Sequence, residues 1–275
     1  MKSADINWKT EDNLSIQATH WPAESSKAVV CIVHGLGEHV GRYAETAAFF
    51  NQKKLAVLAA DRRGHGRSEG KRGHTPDFEA LLAEIGLLIG KAHELYPELP
   101  LFLYGHSMGG NLVLNYVLRK KPAIQGVIAT GSWIRLEPPP AKSLVFFAKI
   151  INRVFPALGR RSGLITSELS SNAQVVAAYG ADPLVHDRIT YSTGLAMVEA
   201  AAWLDQFSGE IPFPTLIMHG GSDKITAPSG SENFAGRVRG DVTWKRWEGL
   251  KHEIHQEPQK AEVLAFLIQW VEKHI

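Results

Sequence analysis

A Gly-x-Ser-x-Gly pentapeptide, Gly105–Gly109, constrains the fold more than any other stretch of this chain. The apolar run Leu101–Tyr104 before it predicts a short buried strand. The apolar spacing of Asn111–Arg119 after it is typical of a helix. Strand, tight turn and helix form the context in which this pattern carries a catalytic nucleophile. The sequence therefore predicts that Ser107 is a nucleophile held on a strained turn.

The residue types of this turn suit nucleophilic catalysis. Gly105 and Gly109 lack a Cβ, so the strand and the helix can approach closely while Ser107 adopts an unfavourable backbone conformation. The helix N-terminus supplies backbone N–H groups and a positive dipole where negative charge develops during the reaction. The same turn can therefore expose a serine hydroxyl and help to stabilise an oxyanion.

Length and composition indicate an ordinary globular protein of 275 residues, with one large domain and an insertion. The net charge of +2 is too balanced to indicate a nucleic-acid partner. Cys31 is the only cysteine, so no intramolecular disulfide can form. The polar stretch Met1–Thr10 and the lack of an apolar run of about 18 residues predict neither a signal peptide nor a membrane-spanning helix. We expect a cytoplasmic protein, with peripheral membrane contact as an option.

Strand and helix patterns alternate along most of the chain, which predicts an α/β fold with a mostly parallel sheet covered by helices on both faces. A β-hairpin is predicted ahead of this core, and Thr75 is predicted to cap a helix that ends near Tyr96. From Trp133 to Ser208 the patterns are helical without a convincing strand. We therefore expect a core of residues 1–132 and 209–275 and a helical cap of residues 133–208.

Position along the sheet selects the acid and the base, because catalytic residues of such folds follow the carboxyl ends of strands. The order Ser, Asp, His is expected for an α/β hydrolase, but five aspartates and five histidines follow the nucleophile: Asp182, Asp187, Asp205, Asp223, Asp241, His186, His219, His252, His255 and His274. Asp223 follows the predicted strand Thr215–His219, and His252 follows Val242–Trp247. His255, three residues further on, remains the competing base.

The roles follow from the chemistry of acyl transfer. Ser107 attacks a carbonyl, His252 accepts the serine proton, and Asp223 fixes the imidazole tautomer. One oxyanion donor is expected at Met108 N–H, directly after the nucleophile. The second is expected at Leu36 N–H, because glycines on both sides leave that backbone accessible.

Two other motifs invite a different function. Asp61–Ser68 is rich in glycine but lacks the Gly-Lys-Ser/Thr of a phosphate-binding loop. In His252–His255 the second histidine comes at i+3, whereas the zinc motif His-Glu-x-x-His requires i+4. We therefore expect neither a metal nor an organic cofactor.

With these residues located, the chain resembles the monoacylglycerol lipase and lysophospholipase-type family of serine hydrolases over essentially its whole length. The motifs that carry the resemblance are His34–His39, Gly41–Tyr43, Asp61–Ser68, Gly105–Gly110, the Asp223 loop, His252–His255, Ser171–Asn172 and Tyr179–Leu184. The resemblance implies an α/β-hydrolase fold with a helical cap. It also implies an enzyme that cleaves lipid esters through an acyl-enzyme, above all monoacylglycerol into fatty acid and glycerol. A lysophospholipase or a broad carboxylesterase is the alternative; a non-catalytic binding protein is disfavoured because all three triad residues are present.

The resemblance also assigns site residues. It implies the triad Ser107, Asp223 and His252 and the oxyanion donors Leu36 and Met108, in agreement with the reasoning above. It further implies that a polar pocket for the glycerol end of the substrate is lined by Arg42, Tyr179 and His255.

The predicted cap carries an apolar face beside basic residues, which is typical of helices at membrane surfaces. The apolar residues are Leu144, Phe146, Phe147, Ile150, Ile151, Val154, Phe155 and Leu158, and the basic ones are Lys142, Lys149, Arg153, Arg160 and Arg161. The alternative is a cap helix that packs this apolar face on the core, and one helix can do both.

Overall fold

A computed structural model describes residues 3–275 and shows the predicted α/β architecture. Its main sheet has eight strands in the order β1-β2-β4-β3-β5-β6-β9-β10, and β7 pairs with β8 separately. The strands are β1 (Ala4–Lys9), β2 (Ser15–Trp21), β3 (Ala28–Val33), β4 (Leu55–Ala60), β5 (Leu101–His106), β6 (Gly126–Thr130), β7 (Gly159–Arg161), β8 (Arg188–Thr190), β9 (Thr215–Gly220) and β10 (Val242–Trp247). Strands β3 to β6, β9 and β10 are parallel, and β1 and β2 are antiparallel.

Helices cover both faces of this sheet and create two apolar cores. The helices are α1 (Ala44–Gln52), α2 (Phe78–Leu95), α3 (Met108–Lys120), α4 (Lys142–Val154), α5 (Ala173–Ala181), α6 (Tyr191–Gln206), α7 (Pro228–Arg237) and α8 (Lys260–Lys273). Helices α1 and α8 pack on one face; α2, α3, α6 and α7 pack on the other. Because both faces are covered, the central strands read as continuous apolar runs.

The sheet gathers the predicted site residues at one edge. β5 lies at its centre between β3 and β6, with every residue buried. Parallel strands bring their carboxyl ends to the same edge, so His34, Ser107, Asp223 and His252 follow β3, β5, β9 and β10 there. The topology alone therefore assembles groups that lie far apart in the sequence.

The predicted hairpin is confirmed as β1 and β2, and two predictions need correction. Helix α2 begins at Phe78 with Asp77 as its cap; Thr75 was the wrong choice, because the Asp77 side chain accepts the Ala80 N–H at 2.8 Å. The segment 133–208 also contains the short strands β7 and β8, which residue spacing did not reveal. Their three-residue lengths give too little alternation for a pattern to be recognised.

Residues between β6 and β9 carry α4, α5 and α6, and part of this segment is tied to the core. His39 Nε2 lies 2.8 Å from Asp182 Oδ2, and His186 N donates to Gly37 O at 2.9 Å. Helix α4, in contrast, has no buried residue. Within residues 3–275, no helix is long and apolar enough to cross a membrane.

Candidate active site

Ser107 lies at the turn between β5 and α3 in a strained conformation, with φ 55° and ψ −116°. The flanking glycines explain how the chain tolerates this turn. A Cβ at Gly109 would lie 1.9 Å from Val33 O, and a Cβ at Gly105 would lie 2.3 Å from Gly109 O. Neither contact is possible for a real side chain, so close approach of strand and helix requires glycine at both positions.

Asp223 and His252 form a buried pair at the same edge of the sheet. His252 Nδ1 lies 2.6 Å from Asp223 Oδ2, a short charge-assisted hydrogen bond. Asp223 Oδ1 accepts the N–H groups of Ile225 at 2.8 Å and Thr226 at 3.0 Å. Burial alone would raise the pKa of Asp223, but the adjacent His252 and His219 imidazoles hold it well below its ordinary value. The carboxylate is therefore ionised near pH 7.

The environment of His252 suits a general base. Burial lowers its pKa, yet the adjacent Asp223 carboxylate outweighs burial and raises the pKa above the ordinary value. Because Nδ1 faces this carboxylate, Nδ1 carries a proton and Nε2 is the basic nitrogen. Ser107 and His252 both line one cavity, and within residues 3–275 the Ser107 hydroxyl has no hydrogen-bond partner of its own. Catalytic hydrogen bonds of this kind commonly tighten only when substrate is bound.

Two backbone donors are available beside Ser107. Met108 opens helix α3 and Leu36 lines the cavity. Gly35 N–H is already occupied, since it donates to Glu38 Oε1 at 2.6 Å. The N–H groups of Leu36 and Met108 have no acceptor among the described residues. Both are therefore available to an oxyanion, and their role as its donors stays a prediction.

A cavity of about 230 Å³ is lined by Ser107 and His252, the predicted nucleophile and base. Its polar lining residues include Glu38, Ser107, Tyr179, His252 and Glu253, and also Glu137, Ser162, Lys224 and Thr226. Its apolar lining residues come largely from the segment after β6: Trp133, Leu136, Pro138, Leu164, Ile165, Leu169, Ile189 and Ile225. A cavity lined by both polar and apolar side chains suits an amphipathic ligand.

Of the three residues predicted for a glycerol pocket, Tyr179 lines the cavity and Arg42 lies behind its wall. Arg42 makes a two-pronged ion pair with Glu253, at 2.6 and 2.7 Å, and a third contact of 2.8 Å with Glu38. Its guanidinium also stacks under the Tyr179 ring, 4.6 Å from the centroid. Arg42 therefore orients the cavity carboxylates and Tyr179 and does not reach the cavity itself.

His255 is buried outside the cavity wall as well. Its ring stacks on Tyr43 with centroids 5.1 Å apart and meets the His106 ring at 4.8 Å. Both ring nitrogens lack a hydrogen-bond partner within residues 3–275. Burial and the charge of Arg42 lower the pKa of His255 to about 3, so it is neutral near pH 7. His252, with its carboxylate partner, is geometrically the better base; the catalytic roles themselves stay predictions.

Sequence reasoning missed several residues of this site. Glu38 and Glu253 line the cavity, although each belongs to a motif quoted for other residues. His219 and Thr226 contact Asp223 Oδ2 at 3.0 and 2.9 Å. The only signal for His219 was its position four residues before Asp223, at the end of an apolar strand.

The fold and the arranged Ser, His and Asp define a hydrolase of the serine type with an α/β-hydrolase fold. Residues 24–259 match the family described as "Serine aminopeptidase, S33". A monoacylglycerol lipase of Mycolicibacterium smegmatis is 33% identical over 92% of this chain and 91% of its own length. The crystal structure of the Paleococcus ferrophilus monoacylglycerol lipase has a TM-score of 0.87 and 32% identity, and the match covers 94% of this chain and 99% of that one.

A third relative, an uncharacterised abhydrolase domain-containing protein of Dictyostelium discoideum, is 34% identical over 100% of this chain. The chain spans 30% of the length of that protein. The chain belongs to the Serine aminopeptidase, S33 family of hydrolases. The predicted resemblance to monoacylglycerol lipases and related lipases is confirmed.

Proposed function

We propose that the protein hydrolyses monoacylglycerols to a fatty acid and glycerol through an acyl-enzyme on Ser107. The cavity carries this proposal, because Ser107 and His252 line it together with apolar side chains and further polar groups. An acyl chain can contact the apolar lining, and a leaving group with hydroxyls can hydrogen-bond to the polar groups. The names of the Mycolicibacterium and Paleococcus relatives support the same substrate class.

The reaction follows from the geometry of the proposed triad. His252 Nε2 takes the Ser107 proton as Oγ attacks the ester carbonyl, and the oxyanion accepts the N–H groups of Leu36 and Met108. The C–O bond to glycerol then breaks, and the proton on His252 passes to the departing glycerol oxygen. Water next attacks the acyl-enzyme, again with His252 as base, which releases the fatty acid and restores the serine.

The charge of the cavity lining suits a neutral leaving group. Three carboxylates, Glu38, Glu137 and Glu253, line the cavity with one lysine, Lys224, and Arg42 pairs with two of the carboxylates, so the lining is negative on balance. Carboxylate oxygens accept hydrogen bonds from hydroxyls and repel phosphate. This charge favours glycerol over the headgroup of a lysophospholipid. Tyr179 adds a phenol to the cavity lining, and His255 stacks on Tyr43, whose hydroxyl donates to Glu38.

A labelling and hydrolysis experiment tests the proposal. A fluorophosphonate probe should label the wild type and leave Ser107→Ala unlabelled, with activity lower by about 10⁶-fold, as in comparable serine hydrolases. A panel of monoacyl, diacyl, lysophospholipid and short soluble esters should be cleaved fastest at the monoacylglycerol. Labelling of Ser107→Ala would contradict the nucleophile, and faster lysophospholipid cleavage would favour the lysophospholipase alternative.

A second comparison tests recognition of the glycerol. Tyr179→Phe removes one hydroxyl from the cavity wall and keeps the ring over Arg42. It should lower kcat/KM for monoacylglycerol more than for a p-nitrophenyl ester with the same acyl chain, because that leaving group needs no hydroxyl partner. His255→Ala, a change behind the wall, is the comparison variant. Equal losses of kcat/KM on both substrates would mean that the cavity does not recognise glycerol.

We further propose that residues 133–208 form a cap and that α4 with the segment after it contacts lipid surfaces. Among the described residues, eight of the ten large apolar side chains that are exposed lie between Leu144 and Ile165. Lys142, Lys149 and Arg153 are exposed on the same helix. An exposed apolar face with basic neighbours suits an interface with anionic lipid. The apolar cavity walls come from the same segment, so a lipid substrate could pass from the surface to Ser107.

A further inference from the structure

His219, a buried histidine that the reaction above does not use, contacts the carboxylate of Asp223. It lies on β9 without solvent exposure. Its Nε2 is 3.0 Å from Asp223 Oδ2, the same oxygen that accepts His252 Nδ1–H at 2.6 Å. On the other side of the ring, Nδ1 is 2.8 Å from Ser231 Oγ of helix α7. Two imidazoles therefore share one carboxylate oxygen.

The neighbours of His219 fix where its proton sits. Nε2 faces two acceptors, Asp223 Oδ2 and Thr226 O, the latter at 3.1 Å, so Nε2 carries the proton. Ser231 is fully buried, and its hydroxyl can donate to Nδ1. The result is a directed chain in which Ser231 donates to His219 and His219 donates to Asp223.

We propose that His219 is a positioning residue that holds the Asp223 carboxylate in place for His252 and moderates its basicity. This inference rests on the proposed roles of Asp223 and His252. The tether through Ser231 links the carboxylate to α7 as well as to its own loop. A rotation of Asp223 away from His252 would break the contacts to His219 and Thr226 together.

The shared oxygen also sets how strongly Asp223 acts on His252. A donor on a carboxylate oxygen withdraws charge from it, so the His219 N–H weakens the hold of Asp223 on the His252 proton. Without that donor, Asp223 Oδ2 becomes more basic and the pKa of His252 rises. Since the base must be neutral to accept the serine proton, the acid limb of kcat/KM should move to higher pH.

The shift can be attributed to His219 only if the other titratable groups near His252 keep their contacts. Apart from Asp223, the titratable groups that act on His252 or face its ring are His106, His255, Glu253 and Glu38. The hydrogen-bond partners of the His219 ring nitrogens are Asp223, Thr226 and Ser231. A substitution at His219 therefore changes one contact of Asp223 and leaves the first set in place.

The test compares His219→Leu with His219→Gln on a soluble p-nitrophenyl ester between pH 5 and 9. The leucine variant should lose about 10- to 100-fold in kcat/KM, the cost of one hydrogen bond to a charged group. Its acid limb should move up by about half a pH unit. Glutamine, whose amide can donate a hydrogen bond to Asp223, should restore most of the lost kcat/KM and most of the shift of the acid limb. His20→Leu, a half-buried histidine on β2 that contacts Tyr96, is the matched control and should change neither.

An unchanged acid limb in His219→Leu, or equal losses in both His219 variants, would reduce the residue to a packing role and overturn the inference. Ser231→Ala provides a second variant if leucine does not fold. It should shift the low-field proton resonance of the His252–Asp223 hydrogen bond, and an unmoved resonance would overturn the inference too. This resonance needs no turnover, so it tests His219 separately from the ester substrate and from Ser107.

Discussion

The exposed aromatic pair on α4 allows a quantitative prediction about lipid binding. Phe146 and Phe147 expose 61% and 60% of their surface. A phenylalanine can bury about 200 Å², so each ring has about 120 Å² left to bury. At about 25 cal/mol per Å², complete burial of both rings would contribute about 6 kcal/mol. A helix lying in the interface buries only part of that area, and about half is a reasonable expectation.

Phe146→Ser combined with Phe147→Ser should therefore weaken binding to lipid vesicles by about 3 kcal/mol, on the order of 100-fold. Vesicle co-sedimentation measures this directly. Hydrolysis of a short soluble ester should stay at the wild-type rate, because neither ring lines the cavity around Ser107. Leu95→Ser is the matched control, since Leu95 is 40% exposed at the end of α2, outside the proposed cap.

Substitution of the basic residues on α4 gives an independent test in the same vesicle assay. Lys149→Glu with Arg153→Glu should weaken binding to anionic vesicles by about 1 kcal/mol or more per residue, and added salt should reduce the difference. On neutral vesicles this charge variant should behave like the wild type, while the aromatic variant keeps its loss. Equal partition of the wild type and the aromatic variant on both vesicle types would refute the reasoning and leave α4 without a role in lipid binding.

Two further predictions concern stability. Arg42→Met leaves Glu38 and Glu253 buried without their cation and should cost about 3–5 kcal/mol in urea unfolding at pH 7. Burial raises the pKa of Glu253, but Arg42 outweighs burial and holds that pKa below its ordinary value. This stabilisation is therefore lost as pH falls through the lowered pKa, and the variant should approach the wild type only below that pKa. Gly109→Ala should unfold at lower temperature, because its Cβ meets Val33 O, whereas Gly90→Ala meets nothing within 4 Å and should stabilise α2 by about 0.5–1 kcal/mol. A destabilised Gly90→Ala or an unaffected Arg42→Met would contradict these expectations.

The strands and the turn at Ser107 could be predicted because local chemistry determines them. Buried parallel strands require continuous apolar runs, and the close approach at the turn requires glycine on both sides. The start of α2 was less certain, since Thr75 and Asp77 both carry side chains that can cap a helix. Only the folded structure decides which of the two meets the free N–H groups.

The residues that contact the site residues from behind could not be predicted, because tertiary packing brings them there. Arg42 and His255 belong to motifs near the site, but the burial of their side chains depends on tertiary contacts. Arg42 pairs with the nearby Glu38 and the distant Glu253, and His255 stacks on the distant Tyr43. A sequence pattern indicates which residues come near a site and does not indicate which of them face the substrate. For the same reason, the sequence did not reveal that His219 and His252 both contact Asp223.

The direct pairing of β6 with β9 has a consequence for how freely the intervening segment can vary. Val127 of β6 is aligned with Thr215 of β9 in parallel, so segment 131–214 leaves the carboxyl end of one strand and returns to the amino end of the adjacent strand of a rigid sheet. The entropy of closing such a loop grows only with the logarithm of its length, about 0.6 kcal/mol for each doubling. Changing the length of the part around α4, which has no buried residue, would therefore cost the sheet little, whereas α6 must stay because it covers one face of the sheet. The surface proposed to contact lipid can therefore change in size and composition while the strands before Ser107, Asp223 and His252 keep their places.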